Sequence, residues 1–185
     1  MTSKFAFKII LIGPSAVGKT SLINRYVKNQ FTDYKPTLGV DFLLKQIDLE
    51  GKFVKLTIWD IGGHEKFKAL HKSYYQGTNG ALLIFDLTRK RTFDEMEVWY
   101  TEMKEILERK IPFILIGNKV DLIKNSPAAI KEDIAIEYAK NHGSSYIQTS
   151  AKTGENVENA FIELVHKMIE IQKEGPKSES KVTFF

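Results

Sequence analysis

Phe5-Ala6-Phe7-Lys8-Ile9-Ile10-Leu11-Ile12-Gly13-Pro14-Ser15-Ala16-Val17-Gly18-Lys19-Thr20 is the stretch from which the fold can be read. Its first half is a short apolar run closed by a glycine, which predicts a buried strand. The second half has the spacing G-x-x-x-x-G-K-[ST], and Lys19 to Asn29 predicts a helix directly after it. In such a loop, backbone N–H groups and the positive end of the helix dipole surround phosphates. Lys19 adds a point charge on the outer phosphates, and the Thr20 hydroxyl suits Mg²⁺. Gly13, Ser15, Ala16, Val17, Gly18, Lys19, Thr20 and Ser21 are therefore the candidate phosphate-binding residues. The competing explanation is a capped glycine turn. By average residue usage the full pattern arises by chance in roughly one chain of this length in two hundred.

Outward from this stretch, strand-like and helix-like segments alternate without any internal repeat. Val40 to Leu49 and Phe53 to Asp60 predict two strands joined by a tight Glu50-Gly51 turn. Ala81 to Leu87, Phe113 to Gly117 and Tyr146 to Thr149 predict three more strands. Thr92 with Glu95 three residues on forms a capping-box pattern, opening a helix to about Arg109. Ser126-Pro127 is a cap and first-turn pair for a helix through Ile130, Ile134 and Tyr138. Val157, Phe161, Leu164, Met168 and Ile171 place one apolar stripe on a terminal helix. The pattern predicts an α/β three-layer fold of the P-loop NTPase type. Its six-stranded sheet is mostly parallel, with one antiparallel edge strand and helices on both faces.

Composition narrows the classes of function. The 185 residues fall within the range of one domain, and 43% hydrophobic with 27% charged is ordinary for a globular protein. No apolar run approaches the roughly 20 residues of a membrane span, and Met1-Thr2-Ser3-Lys4 does not begin a signal peptide. Absence of cysteine excludes disulfides, thiolate metal sites and thiol catalysis, and suits a reducing cytosol. A net charge of +4, spread along the chain, reads as a solvated surface, so no nucleic-acid partner is expected.

The base is chosen by residues that follow later strands. Asn118-Lys119-Val120-Asp121 comes straight after Phe113 to Gly117. The Asp121 carboxylate can accept from the ring N–H and the exocyclic amine of guanine together, a pair of donors that adenine lacks. Unpaired polar groups in a closed site are costly, so discrimination on this basis is large. Ser150-Ala151-Lys152 follows the next strand, where the Ala151 N–H could meet the guanine carbonyl oxygen. Each short motif alone is weak. Their order, each after a predicted strand, is not.

Together these motifs resemble those of Ras-superfamily small GTPases over residues 5 to 172, with the Rab branch favoured. The resemblance implies a G domain over residues 1–172 and a flexible C-terminal tail over residues 173–185. It implies binding of GTP and GDP with Mg²⁺, slow GTP hydrolysis, and effector binding in the GTP state. Thr37, in Tyr34-Lys35-Pro36-Thr37, resembles the first switch segment, where its hydroxyl would join Thr20 in the Mg²⁺ shell. Phe31 would stack on the guanine edge, and Tyr34 would lie beside the nucleotide. Asp60-Ile61-Gly62-Gly63 matches the D-x-x-G segment: Asp60 would hold Mg²⁺ through water, and the Gly63 N–H would sense the γ-phosphate. Leu38-Gly39-Val40-Asp41-Phe42, Trp59 and Tyr74-Tyr75 resemble the Rab branch. There, residues matching Phe42, Trp59 and Tyr74 form an aromatic surface for effectors; the alternative is that they fill the core.

Departures from the resemblance are equally informative. Gly62-Gly63 resembles the Arf branch rather than Rabs, and the interval from Phe31 to Thr37 is one residue short. His64 stands where these families carry the glutamine that orients attacking water. Translation-factor GTPases carry histidine there, so the catalytic set implied is His64, Lys19, Thr37 and Gly63; the alternative is a surface histidine with a GTP-locked scaffold as its consequence. The tail has no cysteine for prenylation and too little charge for a basic membrane patch. A monomer without a lipid anchor is expected, cytoplasmic or peripheral to membranes through partners, served by an exchange factor and a GTPase-activating protein.

Overall fold

Strand β1 (Lys4–Ile12) divides its side chains between two apolar cores, and this division organises the molecule. Ile9 and Leu11 enter one core and Ile10 and Ile12 the other, as the period-two pleat of a strand requires. The computed structural model describes residues 4–31, 39–62, 68–125 and 130–174. Within them, β2 (Val40–Leu49), β3 (Lys52–Ile61), β4 (Gly80–Asp86), β5 (Phe113–Asn118) and β6 (Ser145–Thr149) complete a six-stranded sheet in the order β2-β3-β1-β4-β5-β6. Only β2 runs antiparallel to its neighbour. The expected architecture is therefore present, with the hairpin strand at one edge.

Helices cover both faces. α1 (Lys19–Lys28) and α6 (Val157–Glu174) pack on the first core, where the Tyr26 and Phe161 rings stack 3.9 Å apart. α2 (Lys68–Tyr75), α4 (Met96–Leu107) and α5 (Glu132–Asn141) cover the second, with the short α3 (Lys90–Asp94) leading into α4. β1 sits between β3 and β4, so the chain leaves it towards opposite sides of the sheet. Such a switch point opens a crevice beyond the carboxyl end of the strand, where Gly13 to Gly18 lies.

Three local expectations are corrected. Thr92 does not cap the helix towards Arg109: its hydroxyl accepts from the Asp86 N–H at 3.0 Å and donates to the Arg89 carbonyl at 2.7 Å. It therefore lies inside α3, and Glu95, paired with Arg91, separates α3 from α4. α5 begins only at Glu132, so Ile130 lies before the helix and not within it, and the buried positions are Ala135 and Ala139, while Ile134 is 47% exposed. On α6 the stripe from Val157 to Met168 is buried, but Ile171 lies past the edge of the core and is exposed. Ser126 and Pro127, and the tail beyond Glu174, lie outside the described residues.

Candidate functional site

The loop between β1 and α1 can take its course only with glycine at two points. At Gly13 (φ 139°) a Cβ would stand 2.1 Å from the Ile84 carbonyl oxygen, because β4 runs against the end of β1. At Gly18 (φ 100°) a Cβ would stand 2.3 Å from Asn118 Nδ2. Ala16 also takes a positive φ of 60°. The first glycine thus serves the packing of the sheet, and the second the contact between the phosphate loop and a base motif 100 residues away.

Lys19 is buried, and its Nζ donates to the Gly13 and Pro14 carbonyls at 2.7 and 2.8 Å, bridging the loop from within. Burial lowers its pKa to about 8, against the opposing pull of the Asp60 carboxylate. A cation held at such a desolvation cost favours an anion beside it. Thr20, in the first turn of α1, donates to Asp60 Oδ2 at 2.5 Å. A hydroxyl and a carboxylate at this corner are hard oxygen donors that fit Mg²⁺, which takes few protein ligands and keeps several waters.

On the other side of the loop, Asn118 ends β5 and is buried. Its amide nitrogen donates to the Val17 carbonyl at 2.8 Å, and its oxygen accepts from the Thr149 hydroxyl at 3.1 Å and the Ala151 N–H at 3.3 Å. Lys119 Nζ donates to the Ala16 carbonyl at 2.9 Å and lies 2.7 Å from Asp86 Oδ2. Ser150 Oγ donates to Asp121 Oδ1 at 2.6 Å. Phe31, Ser21, Asp121, Ala151 and Lys152 line a cavity of about 310 Å³ together with Asn118 and Lys119. Residues of three motifs, spread along the chain from Ala16 to Lys152, thus converge on one cavity. Tyr34, Thr37, Gly63 and His64 lie outside the described residues.

The aromatic positions also converge. Phe42 and Trp59 are directly opposite on β2 and β3, their rings stacked at 5.5 Å, and Tyr74 of α2 lies 6.2 Å from Trp59. Phe42 is 54% exposed, whereas Trp59 and Tyr74 are half-buried, so the group is both a surface and a margin of the second core. Lys8 Nζ sits 4.0 Å from the centre of the Trp59 ring.

The sequence profile of the Ras family matches residues 8–170, which span both motif clusters and the sheet that joins them. The chain belongs to the Ras family. Similar proteins include Ras-related protein RABA6a of Arabidopsis thaliana, 39% identical over 96% of this chain and 76% of its own length. Ras-related protein Rab-21 of Bos taurus is 41% identical over 90% of this chain and 74% of its own. A Ras and EF-hand domain-containing protein homolog of Caenorhabditis briggsae is 38% identical over 90% of this chain but only 26% of its own. This Rab-like small GTPase is therefore a member of a class of switches that bind GTP or GDP with Mg²⁺ and hydrolyse GTP. No helix among its described residues is long and apolar enough to cross a membrane.

Several supports of the candidate site carry no motif. Arg25 of α1 donates to the Ala151 and Lys152 carbonyls at 2.9 and 2.6 Å, fixing the Ser-Ala-Lys loop from a helix 126 residues earlier. Nothing in the sequence signals that pairing. Asp86 is buried at the end of β4; burial pushes its carboxyl up, but bonds from Lys119 and Thr88 outweigh this and hold it below its usual value. The lone acid closing the apolar run Ala81 to Asp86 was the available signal.

Proposed function

We propose that this protein is a GTP-operated switch with slow intrinsic turnover, acting in trafficking or signalling through effectors bound in the GTP state. The pairing of Thr20 with Asp60, and the meeting of Asn118 and Asp121 with the loop that Lys19 bridges, are the observation that carries this proposal. Residues 1–172 act as the switch domain and residues 173–185 as its tail. Gly13, Ser15, Ala16, Val17, Gly18, Lys19, Thr20 and Ser21 hold the phosphates. Phe31, Tyr34, Asn118, Lys119, Asp121, Ser150, Ala151 and Lys152 hold guanine and its edge. Thr20 and Thr37, with Asp60 acting through water, would hold Mg²⁺, which would supply charge neutralisation at the phosphate oxygens.

Water attacks the γ-phosphoryl group as the bond from its phosphorus to the β–γ bridging oxygen breaks, releasing GDP and phosphate, and the chain contributes position and charge. Lys19 lies against the departing charge, while Thr37 and Gly63 contact the γ-phosphate side. His64, as neutral imidazole, accepts a hydrogen bond from the attacking water; imidazolium can only donate. Loss of the γ-phosphate releases the Thr37 and Gly63 segments, and effectors that read Phe42, Trp59, Tyr74 and those segments dissociate. An exchange factor and a GTPase-activating protein time the cycle of a monomer that is cytoplasmic, or peripheral to membranes through its partners.

Single-turnover hydrolysis of bound GTP tests the central step. The rate falls as pH drops through about 7 to 6, near the unperturbed histidine range. His64→Ala lowers the rate and flattens the profile, whereas His64→Gln flattens it without loss of rate. Equal rates and equal pH dependence in wild type and His64→Ala would remove the catalytic role. No turnover at any pH, with or without an activating partner, would favour a GTP-locked scaffold instead.

A further inference from the structure

Arg89 stands outside every nucleotide motif, yet its guanidinium reaches the phosphate loop. Nη2 donates to the Ala16 carbonyl at 2.8 Å and to the Ser15 carbonyl at 3.3 Å, while Nε donates to Asp86 Oδ2 at 2.9 Å. The same carboxylate oxygen is paired with Lys119, which donates to the same Ala16 carbonyl. One buried acid, its side chain 1% exposed, thus aims two cations at one loop oxygen. We infer that Arg89 is a positioning residue for nucleotide retention, orienting the phosphate-binding N–H groups of the loop through their own carbonyls.

The physical reason lies in the peptide plane. In a trans peptide the carbonyl of one residue and the N–H of the next point in opposite directions. Holding the Ser15 and Ala16 carbonyls on the Arg89 side therefore turns the Ala16 and Val17 N–H groups to the other side of the loop. Asn118 does the same for the Gly18 N–H through the Val17 carbonyl. Ala16, with φ 60°, has a backbone conformation that non-glycine residues adopt sparingly, so an external hold on its carbonyl has a defined task. The guanidinium suits that task because its planar fork donates to the acid and the loop at once. Arg89 also precedes α3, whose Thr92 hydroxyl accepts from the Asp86 N–H and donates to the Arg89 carbonyl, so the backbone carrying the fork is itself fixed.

The inference rests on the proposed nucleotide binding and is tested by release rates and by the count of phosphates recognised. Fluorescent GDP dissociation in the presence of Mg²⁺ is compared in wild type, Arg89→Gln, Arg89→Lys and Arg91→Gln. Arg91, which is exposed and paired with Glu95, is the control. Loss of a charge-assisted contact of this kind is expected to speed GDP release about 5- to 20-fold in Arg89→Gln. Arg89→Lys, keeping the charge without the fork, falls between, and Arg91→Gln matches wild type. GMP affinity stays within about twofold in Arg89→Gln, because the N–H groups concerned face the phosphate chain beyond the base pocket. Wild-type release in Arg89→Gln, or equal weakening of GDP and GMP, would overturn the inference, since the second is what general loosening of the fold produces. Failure of wild type itself to retain GDP would instead overturn the proposed function.

Discussion

The proposed guanine pocket and the aromatic face are both assembled from distant segments, but from opposite materials. The pocket is a polar network in which Asn118, Lys119, Asp121 and Ser150 each bond to another loop of the site or to a neighbouring strand. The aromatic face is a stack of Phe42, Trp59 and Tyr74 rings on the β2–β3 hairpin and α2, held by packing and by the Lys8 cation. A polar network in a low-dielectric crevice is lost as a unit, because removing one member leaves others unpaired. An apolar patch loses area in proportion to what is removed. Changes in the first region should therefore alter what is bound and how tightly, whereas changes in the second should alter only who listens.

The largest expected effect is at the cation of the network. Lys19→Ala or Thr20→Ala is expected to weaken Mg²⁺–nucleotide binding by at least about a hundredfold, each removing a charged or metal contact. Equilibrium titration with GDP measures this, and unchanged affinity in both variants would dissolve the contrast altogether. The same titration carries a pH signature. The free protein loses the Lys19 charge as pH rises through about 8, whereas a bound phosphate chain raises that pKa. Binding then takes up a proton, so between about pH 7 and 8 wild-type affinity is nearly flat, above that it falls, and Lys19→Ala abolishes this fall.

Next in size is the choice of base. Asp121→Asn keeps an oxygen for the Ser150 hydroxyl, so the loop should survive while the two donors of guanine lose their carboxylate. Preference should move from GTP towards xanthosine triphosphate by about a hundredfold in competition assays. A wild-type margin for GTP in this variant would mean that the Asp121 network is architectural rather than selective.

The smallest effect, and the sharpest contrast, lies at the aromatic face. Phe42→Ala is expected to reduce binding of a partner captured by the GTP form by about 2 kcal/mol, the usual cost of truncating an aromatic hot spot. Its GDP affinity should stay within about twofold of wild type. A parallel loss of nucleotide affinity would show that the two regions are one cooperative unit.

The sequence by itself determined the sheet, its antiparallel edge and the motifs that line the crevice. Each of those features is written in contiguous residues, as a buried run followed by the loop that it delivers. Gly13 to Thr20 is legible for that reason, because strand, phosphate cradle and helix start are consecutive. Side-chain periodicity was legible where a helix buries large residues, as on α6, and failed on α5, where Ala135 and Ala139 make the contact and Ile134 faces outward. The capping pattern at Thr92 failed because a tertiary partner, the Asp86 backbone, took the hydroxyl that a local motif would have used. Only the tertiary structure decided that Arg25 anchors the Ser-Ala-Lys loop and that Asp86 aims Arg89 and Lys119 at Ala16. Carbonyl partners of this sort leave no spacing in the chain, because parallel strands bring their ends together only after crossovers of a dozen residues or more, and any cation of the right reach can answer.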